Sequence, residues 1–198
     1  MLFIQWAKFE NEMAASLRQH FRAQARNTKR AARMAAVVYG SMRMKAARDT
    51  MKRIAEAHEY APKALEFHEA FFSHIGLIES FRDKLAHQTA VEIAGDEGIW
   101  LVTDVVTTRS YKNPKAYQFT AEAILAAAQD LVLATVAIGS FLKKGPRRSA
   151  PKLPPWRYKP SMLKFLPAEK VRTLQVRSPR PISWDELQQR LPPEKNGN

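Results

Sequence analysis

Apolar residues recur every three to four positions through most of the chain, the period of a helix that buries one side. Phe9, Met13, Leu17 and Phe21 repeat every four residues, and Met34, Val37, Val38, Met42 and Met44 form a second apolar section. With abundant Ala, Met, Arg and Gln, the pattern predicts helix from about Ile4 to Ala57. Tyr39-Gly40-Ser41 interrupts it, because glycine costs about 1 kcal/mol inside a helix and serine competes for backbone hydrogen bonds. Two helices or one bent helix are expected there. A further helix is predicted to start at Ala61-Pro62, where proline's missing N–H needs no partner. Along it, Phe67, Phe71, His74, Ile75, Ile78, Phe81 and Leu85 share one broad apolar side, with Arg82 at its border.

The period then changes. Gly95-Asp96-Glu97-Gly98 predicts a turn, and Ile99–Val102 and Val105–Thr108 read as extended, a short hairpin or strand-like loop. Thr120 is placed to cap a last core helix from Ala121 to Leu142. Residues 123–142 are nearly apolar and precede Lys143-Lys144, so a membrane span is one reading. Gln129 and Asp130 near the middle favour the other, a helix buried in a bundle, because Asp costs about 2.5–3.5 kcal/mol at a bilayer centre. No membrane insertion is therefore expected. Gly145-Pro146 stops this helix, and ten of the 12 prolines lie from Pro146 onward. That composition predicts an extended arm, with an edge strand over 171–176 and a short capped helix over 184–191. Trp156, Tyr158, Phe165 and Trp184 supply anchors for docking on the bundle or on a partner. The expected fold is an all-α small helical bundle over 1–144 with a strand-like insertion, followed by a basic proline-rich arm over 145–198.

Charge adds a preference for polyanions. Lys and Arg number 32 against 19 Asp and Glu, a formal net charge of +13. Residues 1–58 and 143–181 are strongly basic and flank a mildly acidic middle. The chain has no cysteine, which excludes disulfides, thiolate metal sites and a cysteine nucleophile, and is compatible with the cytoplasm expected for it. His20, His58, His68 and His74 lack metal-ligand spacing, and no phosphate-binding glycine loop or serine-nucleophile motif is present, so neither metal nor cofactor is expected.

The candidate chemistry sits in Phe81–Gln88, FRDKLAHQ. Asp83 and His87 are four apart, hence on one helix face, where the carboxylate can fix the imidazole tautomer. Arg82 lies five before His87, about 140° away round an ideal helix, so convergence needs a helix end, the reach of the long Arg side chain, or a second subunit. Arginine's fork suits a phosphate, and histidine's ordinary pKa of about 6.5 suits proton transfer. Together they fit attack of a ribose 2′-hydroxyl on the adjacent phosphate without a metal. The plainer reading is a histidine at a helix end beside a surface salt bridge.

Arg82-Asp83-Lys84-Leu85-Ala86-His87 resembles the R-φ-x-x-x-H signature of the HEPN superfamily, in which φ is a polar residue, often Asn or Asp. The helical pattern of residues 1–144 is also similar to these small bundles. The resemblance implies a metal-independent endoribonuclease of toxin, defence or RNA-processing type, with Arg82 and His87 as the catalytic pair and Asp83 in the polar position. It further implies a homodimer that brings two such pairs into one cleft. The insertion at 95–108 and the arm lie outside the resemblance, and some members only bind or scaffold. A noncatalytic nucleic-acid-binding or protein-interaction module, or a structural component of a bacterial or phage assembly, is the alternative.

Further basic residues extend the nucleic-acid reading to RNA, with DNA as the alternative. Arg26, Arg30 and Arg33 share a helix face and are placed to follow a phosphate backbone. Lys143, Lys144, Arg147, Arg148 and Lys152 read as a phosphate clamp, with Trp156 and Tyr158 as stacking platforms or packing anchors. A solvated basic face and a protein partner docking the arm are the competing readings.

Overall fold

The computed structural model describes residues 1–25, 29–40, 42–92, 98–103, 116–141, 152–167 and 169–170. Among them are five helices: α1 (Leu2–Gln24), α2 (Lys29–Gly40), α3 (Met44–Ala57), α4 (Pro62–His87) and α5 (Ala121–Phe141). A sheet of four strands, β1 (Thr89–Glu92), β2 (Ile99–Thr103), β3 (Ala116–Thr120) and β4 (Lys164–Leu166), is antiparallel throughout in the order β1-β2-β3-β4. The domain is thus mostly helical, with a hairpin, β1–β2, inserted after α4. Two more strands widen that hairpin into a sheet. The alternation that marks a strand is weak in Ala116–Thr120, and β4 is three residues long, so neither stands out in the sequence.

The first predicted helical region divides into three helices. α1 buries Leu2, Trp6, Phe9, Met13 and Leu17 along one face. α2 buries only Ala31 and Ala35. Met34, Val37 and Val38, which the periodicity placed in an apolar section, are exposed, with Val37 at 78%. The small alanines let α2 lie close to α1, while the larger side chains face outward. An edge-on contact between Phe21 and Tyr39, 6.1 Å between centroids, ties the two helices together.

α4 starts at Pro62 as expected, and its buried face holds Phe67, Phe71, Phe72, Ile75, Ile78 and Phe81. α5 buries Ala123, Ala126, Ala127, Leu131, Ala134 and Ile138, and its most extensive helix contact is with α1. Small side chains permit that approach; a Cβ on Gly139 would stand 2.8 Å from Glu12 Oε1. Over 121–139, α5 is long and apolar enough to cross a membrane. Asp130 at its centre is fully buried.

Residues 152–166, expected to be arm, run back over the helices. Trp156 stacks on His74, 4.3 Å between centroids and 12° between planes, and also meets Phe71. Tyr158 is buried and stacks on Phe81 at 5.3 Å. These two rings are therefore packing anchors, not open stacking platforms. Asp130 fixes the segment. It accepts from the backbone N–H groups of Arg157 (2.8 Å) and Tyr158 (2.9 Å), and from His74 Nε2 at 2.8 Å. Arg157 adds a hydrogen bond to Gln129 at 2.8 Å. The extended reading of 105–108, the edge strand over 171–176 and the helix over 184–191 lie outside the described residues.

Candidate functional site

The last two turns of α4 carry the Arg–Asp–His cluster. Their inner face is held by Ile78 and Phe81, both fully buried, with Phe81 wedged between Phe119 and Tyr158. This packing fixes the rotation of the helix about its axis and so decides which residues look out. Gly76, Ser80, Asp83 and His87 follow one another at helical spacing and share the outer face.

Arg82 lies at the border with α1. Its guanidinium carbon stands 5.3 Å from the Trp6 ring centroid, and its terminal nitrogen donates to Asp83 Oδ1 at 2.6 Å. Arg82 Nε is buried and has no hydrogen-bond partner among the described residues. The side chain as a whole keeps about a third of its surface open, at 31%. Asp83 thus binds the arginine. A hydrogen bond donated by His87 to Asp83, which the spacing allows, is not found among the described residues. The adjacent arginine, with a formal charge, takes the carboxylate. His87 ends α4 and is exposed, and among the described residues its ring has no hydrogen bond or ion pair.

On the other side of this face, Lys84 donates to Ser80 Oγ at 2.8 Å, and its Nζ lies 4.9 Å above the Tyr117 ring. Between the two borders is an open cavity of about 460 Å³, lined by Gly76, Glu79, Ser80, Asp83, Lys84, Gln88 and Tyr117. Partial burial pushes the Glu79 carboxyl above its ordinary pKa, and the nearby Asp83 charge adds to the effect. Neither Arg82 nor His87 lines this cavity.

Of the residues singled out from sequence, Arg82 and Asp83 are brought together, and His87 shares the outer face with Asp83. Arg30 and Arg33 are exposed on α2, make no ion pair among the described residues and do not line the cavity. Lys152 is exposed at the start of the docked segment. Arg26, Lys143, Lys144, Arg147 and Arg148 lie outside the described residues. The sequence reading missed Glu79, Ser80, Lys84 and Tyr117 as site residues. Gly76, Ser80, Asp83 and His87 carried a usable signal in their spacing of four, three and four. Tyr117 carried none, because its strand was not predicted.

A smaller cavity, about 300 Å³, lies between α3 and α4, lined by Arg48, Asp49, Lys52, His68, Glu69, Phe72 and Ser73. Burial lowers the pKa of His68 there. No group of three or more His, Asp or Glu side chains placed to hold a metal occurs among the described residues. No family model, curated protein or solved structure matches the chain.

Proposed function

We propose that the chain is a metal-independent endoribonuclease of HEPN type. One observation carries the reading: an exposed His87, with no hydrogen bond or ion pair among the described residues, follows by five residues an Arg82 whose guanidinium is already oriented by Trp6 and Asp83. An arginine so held loses little freedom on meeting a phosphate. In the reaction, His87 takes the proton from a ribose 2′-hydroxyl, and the resulting oxygen attacks the adjacent phosphorus. Arg82 stabilises the extra negative charge on the phosphoryl oxygens. The bond to the 5′-oxygen breaks, and that oxygen leaves with a proton from a second His87 or from water. The products are a 2′,3′-cyclic phosphate and a 5′-hydroxyl. A homodimer whose two-fold axis runs near residues 82–87 supplies the second Arg–His pair, since one helix turns Arg82 and His87 apart. The net charge of +13 favours RNA as the partner, and the cytoplasm suits both substrate and cysteine-free chain.

The test is incubation of the protein with a broad RNA panel in EDTA. Cleavage with cyclic-phosphate ends is expected, together with a dimer in solution. No cleavage across the panel would overturn the proposal. The 2.6 Å ion pair between Arg82 and Asp83 favours a second reading, a noncatalytic RNA-binding module in which that pair is structural. RNA binding without cleavage would select it.

A further inference from the structure

The sheet presents an aromatic row that the proposed chemistry does not use. Strand register pairs Trp100 with Phe119, and Tyr117 with Phe165. Directly paired residues project from the same face, and Tyr117 is two positions from Phe119, so all four share that face. Its two ends differ. Phe119 is buried, edge-on to Phe81 at 5.5 Å, and anchors the sheet to α4. Phe165 is 58% exposed. Tyr117 stands between core and solvent and forms a wall of the cavity beside Asp83.

We infer that Tyr117 and Phe165 form a stacking site for an unpaired base of single-stranded RNA, next to the outer face of α4. The inference rests on the RNA reading above and names the form of RNA recognised. Three features point to a base. Tyr117 and Phe165 meet at 5.7 Å and 66°, so their faces are not stacked on each other and the exposed Phe165 ring is left for a flat partner. Lys84 Nζ stands 4.9 Å over one face of the Tyr117 ring, so the base stacks on Phe165 and the ammonium supplies a cation for the strand's phosphate. The cavity that Tyr117 walls also carries hydrogen-bonding groups, from Ser80, Gln88 and Glu79. In a duplex the bases are stacked on one another, so the site selects single strands.

The full chain is titrated by fluorescence anisotropy with a labelled single-stranded RNA of about 12 nucleotides, 2′-O-methylated throughout so that it cannot be cleaved. The same measurement is made with a duplex of that sequence. Because Phe165 is exposed, Phe165→Ala should keep the parent fold, which circular dichroism checks. Base stacking on an aromatic ring predicts about 5- to 150-fold weaker single-strand binding for Phe165→Ala, and a duplex affinity within about twofold of the parent. Phe165→Trp should bind as the parent does, and Phe165→Leu should resemble Phe165→Ala. Parent-like binding by Phe165→Ala, recovery by leucine, equal loss for the duplex, or no RNA binding by the parent would each overturn the inference. The nuclease reading fails separately: aromatic-dependent binding with no cleavage of unmodified RNA would keep the stacking site and remove the catalytic role.

Discussion

α4 carries two histidine–carboxylate–tryptophan groupings, and they are finished in opposite ways. At its middle, His74 meets the buried Asp130, stacks on Trp156, and shares that carboxylate with two backbone N–H groups. At its end, Asp83 is turned to Arg82, Trp6 lies under the guanidinium, and His87 is left to solvent. Residue types alone do not separate the two. What separates them is saturation: the inner acid has three donors and no access to water, while the outer histidine is exposed and has no hydrogen-bond partner among the described residues. A buried polar cluster with every member partnered is structural material, and chemistry is to be sought where a member is left over.

The largest effect that this contrast predicts is at the inner cluster. Asp130→Ala strands His74 and two backbone donors in a site without water. Unfolding by urea should show a loss of about 3–5 kcal/mol, the range for breaking a buried polar pair. The outer residue behaves otherwise: His87→Ala should fall within about 0.5 kcal/mol of the parent, as surface substitutions do. A small loss for Asp130→Ala would mean that the docked segment holds without its clamp.

The pH dependence of stability should follow burial as well. Burial holds His68 and His20 below the ordinary histidine pKa, with the charge of His58 adding to the effect on His20. The unfolded chain then takes up these protons first. Their contribution is whole above about pH 6.5 and declines as pH falls below it. Tyr158 lies on the alkaline side, pushed up to about 12 by burial. Its phenolate forms more readily in the unfolded chain, so stability should decline from about pH 10 towards 12. Urea titrations across pH, with tyrosinate absorbance followed above pH 9, would show both arms. Ionisation of Tyr158 near pH 10 in the folded protein would contradict the packing of residue 158 on Phe81.

A smaller effect sharpens the reading of the outer face. Gly76 sits inside α4 on the cavity wall, and a Cβ there would meet nothing within 4 Å. Gly76→Ala should stabilise the chain by about 0.5–1 kcal/mol, the helix-interior penalty of glycine. If the same change weakens dimerisation or RNA binding, measured by sedimentation and anisotropy, the open space is used by a partner. If neither changes, Gly76 has no role at the face.

Much of the helical frame was legible because long amphipathic runs leave a strong period: the α4 start at Pro62, its apolar side and the α5 span all stood in the sequence. The place of His74 on the apolar side of α4 was likewise open to view. The partners were not. Trp156 and Tyr158 stood out as docking anchors, but nothing local in Pro154–Tyr158 names Asp130 as what they dock beside, because a contact across 28 residues leaves no periodic trace. β3 and β4 were hidden for the same reason, and with them the pairing of Tyr117 with Phe165. For the candidate site, spacing pointed to Arg82, Asp83 and His87 but left open whether the carboxylate would meet the histidine or the salt bridge of the plainer reading, since i,i+4 proximity does not say which of two neighbouring donors it will choose.

The most direct test of the division between inner and outer clusters is one paired measurement on His87→Ala: unfolding free energy and RNA cleavage in EDTA, on the same preparation. The account predicts parent-like stability with cleavage reduced by about 10²–10⁴-fold, the usual contribution of a general acid–base group. Cleavage at the parent rate by the stably folded variant would contradict it.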